Sequence, residues 1–446
     1  MVAYDGNQLA ADLLRRLKSK APEAEGRVNV SLGRAQNTRF AVGEITTSGD
    51  TDATDLALSV AIGKRHASAT TTDLRREGLD ALVERAVTMA KLAPEDPEYV
   101  PVLGAASYPP SPDDYDDATA RPSHELRARA ARTVLDDAAK QKVVPAGFFE
   151  TSALTRTVAT SRGLSASHRS SFASLTMTVR TPDGTGSGWA GAEAVRVGAI
   201  DTGTLARTAI DKAIRSRQPQ SLAPGDYTVV LEPSAVGDLL SYLVWALDAR
   251  AAHEGRSFFA KGKGDTKLGQ PLIAKALSLR SDPLDPRTPG ATFDGEGVPL
   301  RKTDWFDKGV LRALSFSRYW AQQKQAEPSG SHGTFLLTGG DAVSSGALVK
   351  QVKRGLLVTR FWYIRWLSPR DLTVTGLTRD GVFLIENGEV TRPVNNFRFN
   401  QSPLEMLANC RAATAASVRV PSWGGSFAVP AVLSERFHMA SVSAAV

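Results

Sequence analysis

The chain has 446 residues, 42% of them hydrophobic and 23% charged, with 54 Lys and Arg against 47 Asp and Glu for a net charge of +7. That length exceeds what one ordinary core organises, so two domains are expected; the basic and acidic residues are spread along the whole chain, which argues against a dedicated polyanion binder. A single cysteine, Cys410, excludes an intrachain disulfide, no stretch approaches 18 uninterrupted apolar residues, and the start lacks a basic-then-apolar leader pattern, so a soluble, cytoplasmic protein is expected.

In chain order, Asn7 to Lys20 sets Leu9, Leu13, Leu14 and Leu17 on one helical face. Short β-rich segments follow, RVNVSLGRAQNTRFAVGEI and TDLALSVAIGKRHASATTT, and read as antiparallel strands. Gly78 to Leu92 returns to a helical period. From Ala93 to Ser123 the chain is proline-rich and acidic, which predicts a long surface excursion. His124 to Gln141 is helical, Val143 to Ala159 and Ser171 to Arg180 are strands, and Asp201 to Ser216 is a helix. Arg217 to Asp226 is the best linker.

The second half opens on a short strand, Tyr227 to Leu231. Pro233 and Ser234 then start a helix with a continuous apolar stripe from Val236 to Leu247. Beyond it, His253 to Leu311 holds the glycine-acid cluster Asp294, Gly295, Glu296 and Gly297. A short helix is expected within Ser315 to Glu327. Asn387 and Gly388, between Gly381–Glu386 and Glu389–Val394, mark a two-residue hairpin, since both can take positive φ. Pro403 to Ala412 reads as a late helix carrying Cys410, and the last strands are Ser426 to Val432 and Arg436 to Ser441.

Bare chemical motifs carry little. Gly186, Gly188 and Gly191 spell GxGxxG, yet they join two strands instead of opening a helix, so no dinucleotide site is expected. The six histidines are scattered and no two lie four apart, whereas a zinc helix needs two imidazoles one turn apart. His253 and Glu254 begin HExxH without its second histidine. Asp294 and Glu296, separated by one glycine, suit the capping of backbone amides better than paired acid/base chemistry. Lys350 to Arg370 interleaves Arg360 and Arg365 with Phe361, Trp362, Tyr363 and Trp366; alternation favours a strand with buried aromatics, while a wall attractive to peptide carboxylates and a nucleic-acid surface remain open.

One resemblance spans nearly the whole chain. Arg39 and Phe40 on an early strand, ATTTDL before the Gly78 helix, the turn Ser161 to Leu164, GRSFFAKGKGD, FDGEGVPLRKTDWFDKGVL, TRDGVFLIENGEVTRPVNNFRFN and the closing VPAVLSERFHMASVSAAV resemble, in order, the blocks of the TldD/TldE (PmbA) metallopeptidase family. The resemblance implies an α+β fold: an N-terminal domain of antiparallel sheet with helices (residues 1–220) and a largely antiparallel β domain (residues 221–446), paired into dimers around a cavity. TldD-like members bind the catalytic metal through a His-Glu-x-x-x-His helix and a late cysteine. Counting back from Gly255 to Ser257 puts that helix on Asp238 to Arg250, with Leu240 and Val244 where the imidazoles belong, and the cysteine block becomes Pro421 to Ser426, PSWGGS.

This pattern resembles the TldE-like members. It implies a chain with no metal ligand, cofactor or catalytic residue of its own, working with a zinc-bearing TldD-like subunit as a heterodimer, or as a homodimer, on small or unfolded peptides or in the maturation of modified ones. Asp294, Glu296, Arg360 and Arg365 are the cavity candidates. Two alternatives stand beside it: a self-sufficient metallopeptidase using His253 and Glu254, with His332 or His438, and a non-enzymatic peptide- or nucleic-acid-binding protein. No membrane role is expected.

Overall fold

A computed structural model describes residues 4–422 and 425–443 of the chain, a mixed α+β structure built on three sheets. Helix α1 (Gly6–Lys20) starts where Asp5 accepts hydrogen bonds from the Asn7 and Gln8 amides, and it buries Leu13 and Leu17. The segments expected to be short strands are long. β1 (Glu25–Ala41), β2 (Glu44–Ile62) and β3 (Arg65–Thr71) form a meander in which β1 pairs β2 from Glu25–Ala61 to Ala41–Glu44. Thr46 to Asp55 has one apolar residue, Ala53, so nothing local marks it as strand; pairing with β1 holds it there.

After α2 (Arg76–Leu92), the short α3 (Asp117–Ala120) and α4 (His124–Lys140) come β4 (Val144–Thr160), β5 (Ser165–Arg180) and β6 (Ser187–Ala194), then α5 (Thr202–Arg215). The sheet order is β3-β2-β1-β4-β5-β6, antiparallel throughout. Alternation divides its residues. Val28, Val30 and Phe40 belong to the face covered by α1, α2, α4 and α5, while Asn29, Ser31 and Arg39 belong to the other face.

That second face looks toward the rest of the chain, where Asn29 Nδ2 donates to the Gly295 carbonyl. The proline-rich excursion lies partly inside this junction, contrary to the expectation of a surface loop. Leu103 and Tyr108 pack with Val158, Leu164 and Phe293, and Asp114 is buried. Proline prevents regular elements there but leaves an extended backbone whose apolar side chains bridge both halves.

The second half comprises β7 (Gly225–Leu231), α6 (Pro233–Trp245), α7 (Ala249–His253), β8 (Ser278–Ser281), β9 (Thr303–Asp307), β10 (Val310–Leu311), α8 (Arg318–Lys324), β11 (Thr334–Thr338) and α9 (Ser345–Val349). Then come β12 (Arg354–Ser368), β13 (Thr373–Glu386), β14 (Glu389–Pro393), β15 (Asn396–Gln401), α10 (Pro403–Ala408), β16 (Cys410–Ala413), β17 (Val418–Val420), β18 (Ser426–Val429) and β19 (Val432–Ser443). One sheet runs β10-β9-β8-β11-β18-β17. The other runs β12-β7-β19-β15-β13-β14, and β12 also pairs β13, so five strands close on themselves. Phe361, Phe399 and Phe437 pack together on these strands.

This half is not purely antiparallel: β7 pairs β12, and β11 pairs β18, in parallel. The Asn387–Gly388 hairpin forms with both residues at positive φ. Cys410 lies on β16, because α10 stops at Ala408, two residues short of it. Among the described residues no helix is long and apolar enough to cross a membrane.

Candidate functional site

Strand register alone lines up two clefts on the open face of the first sheet. Ser31, Arg156 and His168 are consecutive cross-strand partners, as are Arg39, Phe148 and Thr176, with Thr178 beside Trp189 and Ser174 beside Glu193. The first group floors a cleft of about 790 Å³, roofed by segments 283–300 and 331–334. The second floors a cleft of about 450 Å³, closed by Ser234 and Asp238 of α6, by Arg360 and Trp362 of β12, and by Pro421 and Ser422.

In the first cleft Asp294 faces inward but is committed to its own loop. Its Oδ1 accepts from the Glu296 and Val298 amides at 2.8 and 2.9 Å, and its Oδ2 from the Ser331 amide at 3.0 Å. Glu296 pairs with Arg318 at 3.1 Å and Arg27 at 3.6 Å, which clamps the loop to the first sheet. The capping reading holds for Asp294, whereas Glu296 pairs with arginines and caps no amide among the described residues. His332, also lining the cleft, is pushed down to about 4 by burial and is neutral at neutral pH. On the floor, His168 Nε2 lies 2.9 Å from Asp114 and Nδ1 lies 2.8 Å from Ser111, a relay that ties the excursion to β5.

The other sequence candidates scatter. Arg360 lines the second cleft, whereas Arg365 lies exposed over the Tyr363 ring at 4.4 Å and donates to the Ile364 carbonyl. The expectation of a strand with its aromatics on the buried face is corrected in part: Phe361 and Ile364 are buried, but Trp362 and Tyr363 are exposed. A bulge between Trp362 and Arg365, with Tyr363 at φ 55°, breaks the alternation. His253 closes α7; Nδ1 is 2.6 Å from the Ala249 carbonyl and the ring packs on Phe316 and Trp320. Glu254 is held by Arg250 and Arg256. Neither reaches a cleft floor.

α6 presents a different face from the one counted out in sequence. Leu240 is fully buried in the core and Val244 packs against it, while Ser234 and Asp238, one turn apart, face the second cleft. The PSWGGS block does reach this cleft through Pro421 and Ser422; Trp423 and Gly424 lie outside the described residues. Cys410 is elsewhere, its thiol pushed up to about 12 by burial.

Two acids in this cleft were not singled out from sequence. Asp238, partly buried in the cleft wall, is raised to about 7 by desolvation, against the pull of Arg360 and of the Phe361 amide, which donates to its Oδ2 at 2.9 Å. Glu193 is likewise raised to about 7 by burial, aided by Glu150 and opposed by Arg419 and the Ser422 amide. A lone acid inside the apolar stripe of α6 was the available signal for Asp238; Glu193 sat hidden in a glycine-rich stretch. Gly186 and Gly188 there serve packing, for a Cβ on either would come within 2.2 Å of an α5 carbonyl oxygen.

Zinc, which the family implies, takes four N, S or O ligands, commonly imidazole and thiolate. The described residues of this cleft supply two carboxylates from opposite walls and neither imidazole nor thiol; no group of three His, Cys, Asp or Glu converges anywhere among the described residues. This donor set does not fit the ion.

Residues 28–90, 108–217 and 224–441 match, respectively, domain 1, the central domain and the C-terminal domain of the PmbA/TldA metallopeptidases. A "Metalloprotease PmbA" of Escherichia coli O157:H7 is 23% identical over 432 residues, 89% of this chain and 88% of that protein. A "Metalloprotease" of Methanothermobacter thermautotrophicus is 25% identical over 227 residues, and the match spans 47% of each. The crystal structure of TldE from Thermococcus kodakarensis superposes with a TM-score of 0.85 at 19% identity, over 96% of this chain and 99% of that one, and so shares its fold.

Proposed function

The chain belongs to the TldD/TldE (PmbA) metallopeptidase family, and within it we propose that this is a TldE-like, metal-free subunit that acts with a zinc-bearing TldD-like chain on small, unfolded or modified peptides. One observation carries this reading. Where α6 meets the Pro421–Ser422 segment, the elements that the resemblance assigns to the metal, the cleft offers Ser234, Asp238 and Glu193 in place of two histidines and a cysteine.

The hydrolytic step is assigned to the partner, whose zinc would polarise the scissile carbonyl and activate water. This chain contributes shaped walls: two clefts between its halves, of a size for short peptide segments. The side-chain geometry of His253 and Glu254 supports no second catalytic reading.

The test is zinc content and peptidase activity of the chain alone and after coexpression with a histidine-bearing family member. The expected result is neither metal nor activity alone, with both in a copurifying complex. Stoichiometric zinc with activity in the isolated chain would sink the proposal.

A further inference from the structure

Arg360 is a largely enclosed cation whose hydrogen-bonding capacity goes unused. Its side chain is 15% exposed, and its guanidinium sits 4.7 Å from the centre of the Trp189 ring and 5.0 Å from that of Trp362. It donates no hydrogen bond to any described residue, and its nearest carboxylate oxygen, on Asp380, stands 3.9 Å away. Asp380 is itself engaged, accepting from Ser187 Oγ at 2.6 Å. A guanidinium has five N–H donors, and no Arg360 nitrogen is sealed from solvent, so these donors open toward the cleft. Stacking on indole faces leaves them available to a ligand.

Other groups converge on the same space. Arg39, across the cleft, makes no side-chain hydrogen bond or ion pair with the described residues. Phe148 and Trp362 line the cleft with 38% and 40% of their surface exposed. An apolar wall left open inside a cleft is the usual mark of a ligand site. Two cations ask for an anion, and the aromatics ask for an apolar group attached to it.

The acids narrow the choice of anion. Asp238 and Glu193 line the cleft too, and a compact dianion such as phosphate would face both carboxylates. A single planar carboxylate pairs in bidentate fashion with one guanidinium edge. A space of about 450 Å³ holds a chain end of a few residues.

Resting on the reading of this chain as a peptide-handling subunit, we propose that the cleft binds the carboxyl-terminal end of a peptide, its α-carboxylate against Arg360 and Arg39 and its last side chain against Phe148 and Trp362. Such a site favours peptides with free ends over loops of folded proteins. It would place the peptide by its terminus while bonds further upstream are presented to the partner.

The experiment is calorimetric titration of the full chain with an acetylated tripeptide ending in phenylalanine, as the free acid and as the C-terminal amide, with inorganic phosphate as competitor. The free acid should bind at least about tenfold tighter than the amide. Arg39→Gln, at an exposed position, and Arg360→Gln should each remove most of that preference without weakening the amide, and Phe148→Ala should weaken both ligands. Equal binding of acid and amide, binding of neither at millimolar concentration, displacement of the peptide by phosphate at lower concentration than the peptide itself needs, or a preference unchanged in the folded Arg39→Gln variant would each overturn the proposal. If coexpression gives an active zinc complex while acid and amide bind alike, this inference falls and the subunit reading stands. Acid-selective binding by a chain that never forms an active complex is the reverse case.

Discussion

Asp294, at the roof of one cleft, with its loop neighbour Glu296, and Asp238 and Glu193, in the walls of the other, are two acid pairs at the same junction between the halves of the chain. The first pair is spent: three backbone amides bond to Asp294, and two arginines meet Glu296. The second pair is short of partners; Asp238 accepts one amide, and burial raises both carboxyls to about 7. The first pair has its demand met by amides and guanidiniums, whereas the second keeps unmet electrostatic demand, and that demand marks a site.

The sharpest way to break the contrast is Asp294→Ala, which strands three amides of the loop. A loss of about 4 kcal/mol in urea unfolding is expected, with Asp294→Asn losing clearly less. A change under about 1 kcal/mol would mean the loop is held by its other contacts.

Asp238 gives an effect of opposite sign. Its folded pKa, about 7, lies above the ordinary 3.8, so the folded chain holds this proton more tightly than the unfolded chain. The stability from this group is fully present below about pH 4 and is lost as pH rises through about 7. Asp238→Asn keeps an oxygen for the Phe361 amide and should flatten that dependence, leaving the variant more stable than the parent at pH 8 by about 3 kcal/mol. Unfolding curves at pH 5 and pH 8 decide it; parallel pH profiles would refute it.

Glu193→Gln should behave the same way over the window from about 4.5 to 7, with a gain of about 2 kcal/mol at pH 8, since its rise from the ordinary 4.5 is the smaller one. Glu296→Gln is the smallest. Its pairs with Arg27 and Arg318 reach solvent, so a thermal melt should register a loss below about 1 kcal/mol.

Much of the fold was legible. The apolar stripe of α6, the Asn387–Gly388 hairpin and the capping role of Asp294 are local, and each follows from spacing or turn chemistry within a few residues. The candidate site was legible only in fragments. Arg360 and Arg365 looked alike in the aromatic run, yet only Arg360 lines the cleft, while Arg365 lies exposed over the Tyr363 ring. Counting along α6 put attention on Leu240 and Val244, but packing aims Ser234 and Asp238 at the cleft. The long middle of β2 was invisible because cross-strand pairing with β1, not its own residue types, makes it a strand, and the buried path of the proline-rich excursion because its partners Val158, Leu164 and Phe293 lie far away in the chain.

By itself, then, the sequence determined the family and its order of blocks, the α+β class, and the absence of histidines where the resemblance expects them. Those depend on residue identity and on periods of two and 3.6. Only the tertiary structure decided which side chains share a cleft and how burial shifts their charge. Cross-strand register joins Arg39 to Phe148, more than a hundred residues further along the chain, and Phe148 to Thr176, and desolvation is a sum over every neighbour that excludes water, which no single stretch of sequence contains.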